Sequence, residues 1–315
     1  RPSYRDERYQ SHASRVTWQL TQKQKLNLFF DIKRDSICET GGAGSALGAG
    51  ANNAPEAQTV WYLWPNGAFQ ATWSSPLTQR LLLEAGASVV LFHWPGDLPS
   101  GVKAEDISIL EQSGVPGGAR GNFRYNNAPG VYNPDLRTGD RYAQKFAVSF
   151  ITGSHAIKTG FQWDQGFSDT ENLYLGPKGQ EGISYVFNRG IPTTVRYDVA
   201  FKEVYKQRAE MGLYAQDQWT INRLTINYGL RWDYYLGYIP PVDQPAGPFT
   251  PALKFDETTG TPSWKDINPR TGVAYDLFGD GRTAIKGSFG RYVAMTGNGQ
   301  VRRYPPRQRA VTSAT

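Results

Sequence analysis

The sequence predicts an all-β chain: an antiparallel, up-and-down transmembrane β-barrel, present in part, with about ten long strands, short turns at one end and long loops at the other. Three observations predict it. Apolar and polar residues alternate strictly over stretches of about ten residues. Very short turns and very long polar segments succeed one another along the chain. No apolar run of about eighteen residues occurs, which excludes a transmembrane helix but not a barrel, whose strands are apolar only at every second residue.

Residues 211–235, MGLYAQDQWTINRLTINYGLRWDYY, show the alternation most clearly. They read as strands 211–220 and 224–235 joined by Ile221, Asn222 and Arg223. In the second strand Leu224, Ile226, Tyr228, Leu230 and Trp232 fall on one face, and Thr225, Asn227, Gly229, Arg231 and Asp233 on the other. About ten residues is long for a soluble strand and suits a tilted strand crossing a bilayer. In a soluble sheet the apolar face turns inward; in a membrane barrel it meets lipid and the polar face lines the lumen.

Four further hairpins follow the same rule. The first joins 14–21 and 25–33 through Gln22, Lys23 and Gln24, with Val16, Trp18 and Leu20 on one face and Leu26, Leu28, Phe30 and Ile32 likewise. The second joins 67–74 and 80–94 around Pro76; Leu81, Leu83, Ala85, Ala87, Val89 and Leu91 alternate with Glu84, Gly86 and Ser88. The third joins 141–151 and 155–167 through Thr152, Gly153 and Ser154, with Phe146, Val148 and Phe150 opposite Lys145 and Ser149, and Ile157, Phe161 and Trp163 opposite Lys158, Gln162 and Asp164. The last joins 267–278 and 282–293 through Gly279, Asp280 and Gly281, and Asp-Gly is strong hairpin chemistry.

Between hairpins lie segments 35–66, 95–140, 169–206 and 237–266, rich in Gly, Pro, Asn and Asp. Loops this long are foreign to compact soluble domains, whereas short periplasmic turns alternating with long extracellular loops are what barrels show. On this reading 211–220 descends toward the periplasm, and the 169–206 segment contains a hairpin of its own outside the membrane. Trp18, Trp73, Trp94, Trp163 and Trp219 stand near strand ends, where an interfacial girdle places them; the alternative is that they fill the core of a soluble sandwich.

The remaining signals are weak. Net charge is +6 over 315 residues, and the positive residues are dispersed apart from VRRYPPRQR after Gln300. That basic tail lacks a folded aromatic platform, so nucleic acid is not an expected partner. Cys38 is the only cysteine, which excludes an internal disulfide and any multi-cysteine zinc site. His12, His93 and His155 show no metal spacing. The glycine-rich 41–53 lacks a Gly-Lys-Ser/Thr ending and reads as a surface loop. Asp169 with Glu171, and Asp256 with Glu257, read as solvated loop charge rather than an acid/base pair. Lys145, Lys158, Arg231 and Lys286 fall on the polar face, where they line the lumen and form salt bridges with Glu84, Asp164 or Asp233, or meet an anionic solute. No catalytic, metal or cofactor-binding residue is expected, and the ligand-binding residues are unknown.

GLYAQDQWTINRLTINYGLRWDYY resembles a hairpin of TonB-dependent outer-membrane receptors, in which an aromatic-x-Gln-Asp-x-Trp strand precedes Leu-Thr-x-Asn-x-Gly-Leu-Arg-Trp/Tyr-Asp. INPRTGVAYDLFGDGRTAIKGSFGRY resembles the next part of the same barrels, through its Asn-Pro-Arg-x-Gly and Gly-x-Gly-Arg-Tyr elements. The nearest branch is the Oar-like receptors. The resemblance makes Asp217, Trp219, Arg231, Asp233 and Arg270 barrel-building positions and carries over no catalytic residue. It implies a barrel of about twenty-two strands in the Gram-negative outer membrane, plugged by a domain that contacts TonB.

Against that plan the chain shows no signal segment, no plug and no TonB-contacting segment. The expectation is therefore a receptor fragment, with a partial barrel over 1–295 and an irregular basic tail over 296–315 that reflects a frameshift, a truncation or an extracellular loop cut short. Its partners are outer-membrane lipid, the missing plug and TonB of the intact protein, and an unknown solute. Two alternatives stay open: a self-contained ten-stranded outer-membrane enzyme, and a secreted all-β carbohydrate-binding protein with tyrosines and tryptophans as sugar platforms.

Overall fold

The computed structural model of the chain describes residues 6–38, 52–113, 121–132, 139–247, 251–294, 297–304 and 313–314. Ten long strands form one antiparallel meander: β1 (Asp6–Thr21), β2 (Gln24–Cys38), β3 (Val60–Pro76), β4 (Leu81–Phe92), β5 (Gly139–Thr152), β6 (His155–Tyr174), β7 (Phe201–Ile221), β8 (Leu224–Ile239), β9 (Thr258–Asp276) and β10 (Ala284–Gly290). Their order in the sheet is their order in the chain. Short strands Gly96–Asp97 and Gly130–Tyr132 extend the sheet beside β3 and β6. Among the described strands β1 and β10 do not pair with each other, so the sheet is an open arc and the predicted barrel is present in part.

Register carries the alternation across the arc. Asn27, Thr72, Gly86, Lys145, Gln162, Gly212, Asp233 and Asp266 form one continuous row on the polar face. Leu26, Trp73, Ala85, Phe146, Phe161, Leu213, Trp232 and Ile267 form the matching row on the apolar face. The row starts beside the lower turn at Leu26 and has climbed to mid-strand by Trp232, the stagger that tilted barrel strands require.

The hairpins differ from expectation at both ends. Turns Gln22-Lys23, Gly153-Ser154 and Asn222-Arg223 are tighter than the sequence suggests, and Ile221 belongs to β7, paired with Leu224. Asn222 holds a φ of 51°, a left-handed conformation that asparagine tolerates in such turns. The β9–β10 link is longer: β9 ends at Asp276, whose carboxylate accepts the Gly279 and Gly281 N–H groups at 3.0 and 2.9 Å, so Asp280-Gly281 lies within the link rather than forming it. β10 stops at Gly290, short of the expected 293.

Outward, the strands run past their expected limits and the links shrink to 39–59, 93–138, 175–200 and 240–257. Bulges are the reason. The shift opposite Lys33 and Asp35 places one extra residue in β3, and those at Asp164–Gly166 and Gln207–Ala209 are one extra residue in β7; each changes the face of the side chains beyond it. The shift opposite Leu236 and Tyr238 places two extra residues in β9. Backbone pairing continues beyond all three.

The outer links, with Ser313–Ala314 of the C-terminal tail, build a second sheet of six short strands in the order Ser313–Ala314, Ile191–Asp198, Ile183–Asn188, Ser108–Glu111, Phe123–Tyr125 and Asn52–Asn53. Its Ile183–Asn188 and Ile191–Asp198 pair is the hairpin expected within 169–206, turning at Arg189 and Gly190 with φ of 53° and 75°. The parallel pairing of Ile183–Asn188 with Ser108–Glu111 joins two links far apart in sequence.

Candidate functional site

The apolar face of the arc is bare. Leu230, Ile267 and Phe289 are 53%, 59% and 68% exposed, and Val16, Trp18, Phe161, Leu213 and Ile285 share the face. Leaving such a surface in water is costly, whereas lipid is its matching solvent. Trp18, Trp73 and Trp219 stand near the short turns on this face and Trp163 further out, as a girdle requires. Trp94 does not join them. It lies past the end of β4 and packs edge-on against Trp61 and Phe92, at 5.5 and 5.4 Å.

The polar face lines a groove of about 1160 Å³. At its centre Arg231 Nε donates to Asp233 Oδ1 at 2.7 Å and Nη1 to Gln162 Oε1 at 3.0 Å. Asn268 Nδ2 donates to Asp233 Oδ2 at 2.6 Å, and Arg291 links Asn268 Oδ1 at 3.0 Å with Asp266 at 2.5 Å. Lys158 pairs with Glu84 at 2.7 Å. Each of these charges therefore has an opposite partner, which offsets the cost of desolvating it. Arg231 fits because Gly212 is its register diagonal: a Cβ there would overlap the guanidinium.

Of the lumen cations expected from sequence, Lys158 and Arg231 form the ion pairs described. Lys145 lies across Gly86, where a Cβ would stand 2.9 Å from its Cε. Among the described residues neither Lys145 nor Lys286 carries an ion pair. Asp164 pairs instead with Arg141, at 3.6 Å. Arg270 faces the lumen and lies over the Tyr292 ring at 4.5 Å. Asp217 and Trp219 are on the outer face near the turn, where Asp217 accepts from Tyr228 at 2.7 Å and meets His155 Nδ1 at 2.7 Å; the His155 ring stacks on Trp219 at 5.3 Å.

The other candidates separate. His12 sits on β1, while His93 lies just past β4 and its backbone N–H donates to Asn66. Among the described residues no group of three His, Cys, Asp or Glu could hold a metal. Asp169 and Glu171 belong to the outward run of β6 rather than to a loop, and Asp169 pairs with Lys202 at 3.5 Å. Asp256 and Glu257 lie in the link before β9, with Glu257 accepting from Tyr238 at 3.2 Å. Residues 41–51 of the glycine-rich stretch, and 296, 305–312 and 315 of the tail, lie outside the described residues.

Sequence reasoning missed two features. The first is the 297–304 segment, which carries no alternation yet makes two short 3-10 turns seated on the outer polar face. Val301 is fully buried with Tyr235 and Ile239, and Tyr205 packs against them. Tyr235 Oη donates to the Gly297 carbonyl at 2.7 Å. The second is Glu111, whose carboxylate accepts from Ser113 Oγ and from the Ser113, Arg189 and Gly190 N–H groups at 2.7–2.9 Å. The Ser113 hydroxyl first, then the backbone donors, hold its pKa down to about 2.

The sequence over residues 2–315 matches the family model described as Outer membrane beta barrel domain. No curated protein matches it. Among solved structures the fold is similar to the outer membrane transporter YddB from Escherichia coli, at TM-score 0.54 and 16% identity over 94% of this chain and 33% of that one. It is also similar to the ferric yersiniabactin uptake receptor FyuA from Yersinia pestis (TM-score 0.54, 9% identity, 86% of this chain and 35% of that one). The copper transporter OprC gives a TM-score of 0.53 at 11% identity, over 90% of this chain and 37% of that one. The chain thus spans about a third of the length of these structures, and at such identities the likeness speaks to fold alone.

Proposed function

The chain belongs to the outer membrane β-barrel domain family, and from that membership we propose that it forms part of the wall of a TonB-dependent receptor, of the Oar-like branch, that takes up a solute. The observation that carries the reading is the opposition of faces: a bare apolar surface for lipid, and a charged, hydrogen-bonded surface along a groove. The open arc adds to it. A self-contained ten-stranded barrel needs β1 to meet β10, and lipid cannot satisfy open strand edges, so further strands close a wider lumen.

In this reading the second sheet of loop strands receives the solute outside the membrane. The groove passes it inward when TonB displaces the plug, and Lys145 and Lys286 face the space that the plug fills. No covalent chemistry is required. The test is uptake by the Gram-negative cell that makes the protein, measured after disrupting the coding segment and, separately, TonB. Loss of uptake of the same solute in both strains is expected. A solute whose uptake requires this gene but not TonB overturns the reading.

A further inference from the structure

The apolar face of the wall differs between its two ends. Among the described residues, every lysine and arginine that falls on that face of the ten strands lies in the outward half: Arg8, Arg34, Lys202, Lys206, Arg208 and Lys265. Toward the tight turns the same face holds His155 and Asp217 but no lysine or arginine. Lys206 and Arg208 are the best defined of the outward cations. β6 and β8 alternate without an extra residue of their own, so Phe167 and Tyr238 stay on the face of Trp163 and Trp232. Lys206 Nζ lies 5.7 Å from the centre of the Phe167 ring, and Arg208 Cζ lies 4.3 Å from that of Tyr238. Gln207, between them, turns to the polar face and donates to Glu210. The irregularity in β7 thus sets two cations, two residues apart, on the outside of the wall.

The carboxylates of that region are engaged elsewhere. Asp169 pairs with Lys202 at 3.5 Å, and Glu171 stands opposite Lys202. Glu257 accepts from the Tyr238 hydroxyl at 3.2 Å, and Asp140, across Phe167, is buried and accepts the Phe92 N–H at 3.4 Å. Neither Lys206 nor Arg208 carries an ion pair among the described residues. Their level is fixed by the girdle. Phe167 stands outward of Trp163 by roughly 10 Å along the membrane normal, from the rise and tilt of barrel strands. Interfacial tryptophans mark where hydrocarbon ends, so both cations sit among the headgroups. We propose that Lys206 and Arg208 form a site for a phosphate group of an outer-leaflet glycolipid. The guanidinium offers a fork of N–H donors to the phosphate oxygens and the ammonium adds a mobile point charge. The Phe167 and Tyr238 rings hold the two cations in place, and Tyr142 supports Phe167 edge-on at 5.7 Å. The site goes beyond the receptor reading and needs only that the apolar face meets lipid.

The test is binding of diphosphoryl lipid A to the full chain folded in detergent micelles, with retained lipid counted by native mass spectrometry. Dephosphorylated lipid A and inorganic phosphate serve as parallel probes. Saturable retention of the diphosphoryl lipid is expected, weakened about tenfold or more by Lys206→Gln with Arg208→Gln. Lys25→Gln with Arg282→Gln removes the same charge near the tight turns and should leave retention unchanged. Arg208→Gln alone replaces an exposed side chain and should weaken retention about threefold or more, so it decides the matter if the double variant does not fold. Four results overturn the site: equal retention of the dephosphorylated lipid, unchanged retention in the folded variants, an equal loss in the turn-end variant, or inorganic phosphate bound as tightly as the lipid. The last would make it a site for a free anion. Lipid binding by the purified chain needs neither TonB nor a solute, so its failure leaves the receptor reading standing on its own test.

Discussion

Arg231 shows how much of the lumen rests on single side chains. Its side chain is 18% exposed and engages Asp233 and Gln162, and the Tyr214 ring lies 6.0 Å from its guanidinium. Gly212→Ala pushes a methyl into that guanidinium, and overpacking of this kind is expected to cost about 1–3 kcal/mol. Because the cost acts through Arg231, adding Arg231→Ala should cancel part of it; urea unfolding of the four proteins of the cycle measures the coupling, and strict additivity would refute it. Glu111 supports a separate prediction. Its folded pKa, about 2, lies below the ordinary glutamate value of 4.5, so the stability it lends the Arg189-Gly190 turn is complete above about pH 4.5 and is lost as pH falls toward 2. Hydrogen exchange at Arg189 and Gly190, corrected for intrinsic rates, should show that step in the wild type and none in Glu111→Gln. Alternation alone placed Arg231 and Lys158 in the lumen. It could not reveal Glu111 or Arg291, whose partners lie in other links or strands and depend on the path of the chain.

At the scale of elements, the strands were legible as far as their first irregularity. Expected limits at Lys33, Phe167, Met211 and Tyr235 fall within a few residues of the three irregularities in β3, β7 and β9, where side-chain register is disturbed but backbone pairing does not stop. Period-two reading registers the first and is blind to the second. The 297–304 segment was illegible for a related reason: what holds it is one buried residue, Val301, clearance over Gly237, where a Cβ would stand 2.9 Å from Val301 Cγ2, and the Tyr235 bond to the Gly297 carbonyl, none of which alternation reveals. Val301→Asp puts a carboxylate into that seat and is expected to release the segment. Trypsin should then cleave after Arg302 and Arg303 about tenfold faster or more, the change in open population that about 1.4 kcal/mol produces. Equal cleavage rates in the two proteins would mean that the segment is not held by Val301.

For the whole molecule, the direction of the wall is the property from which the rest follows. Long links gather at one end with the second sheet, and tight turns such as Gln22-Lys23 and Asn222-Arg223 gather at the other. Barrels of this family's kind put short turns in the periplasm, so the groove's outer corner and the 297–304 segment should face the medium. Labelling settles this directly. In a Cys38→Ser background, Lys103→Cys in the 93–138 link should react with a membrane-impermeant maleimide on intact cells. Gln22→Cys, in the first tight turn, should react only after the outer membrane is permeabilised. Both positions are exposed, so accessibility to water does not distinguish them; only the membrane does. The reverse pattern would invert the wall and leave the second sheet in the periplasm, where it could not meet a solute first. Equal labelling of both sites on intact cells would mean that the bare apolar face is not sealed by lipid, and the secreted, soluble alternative would then be the one to pursue.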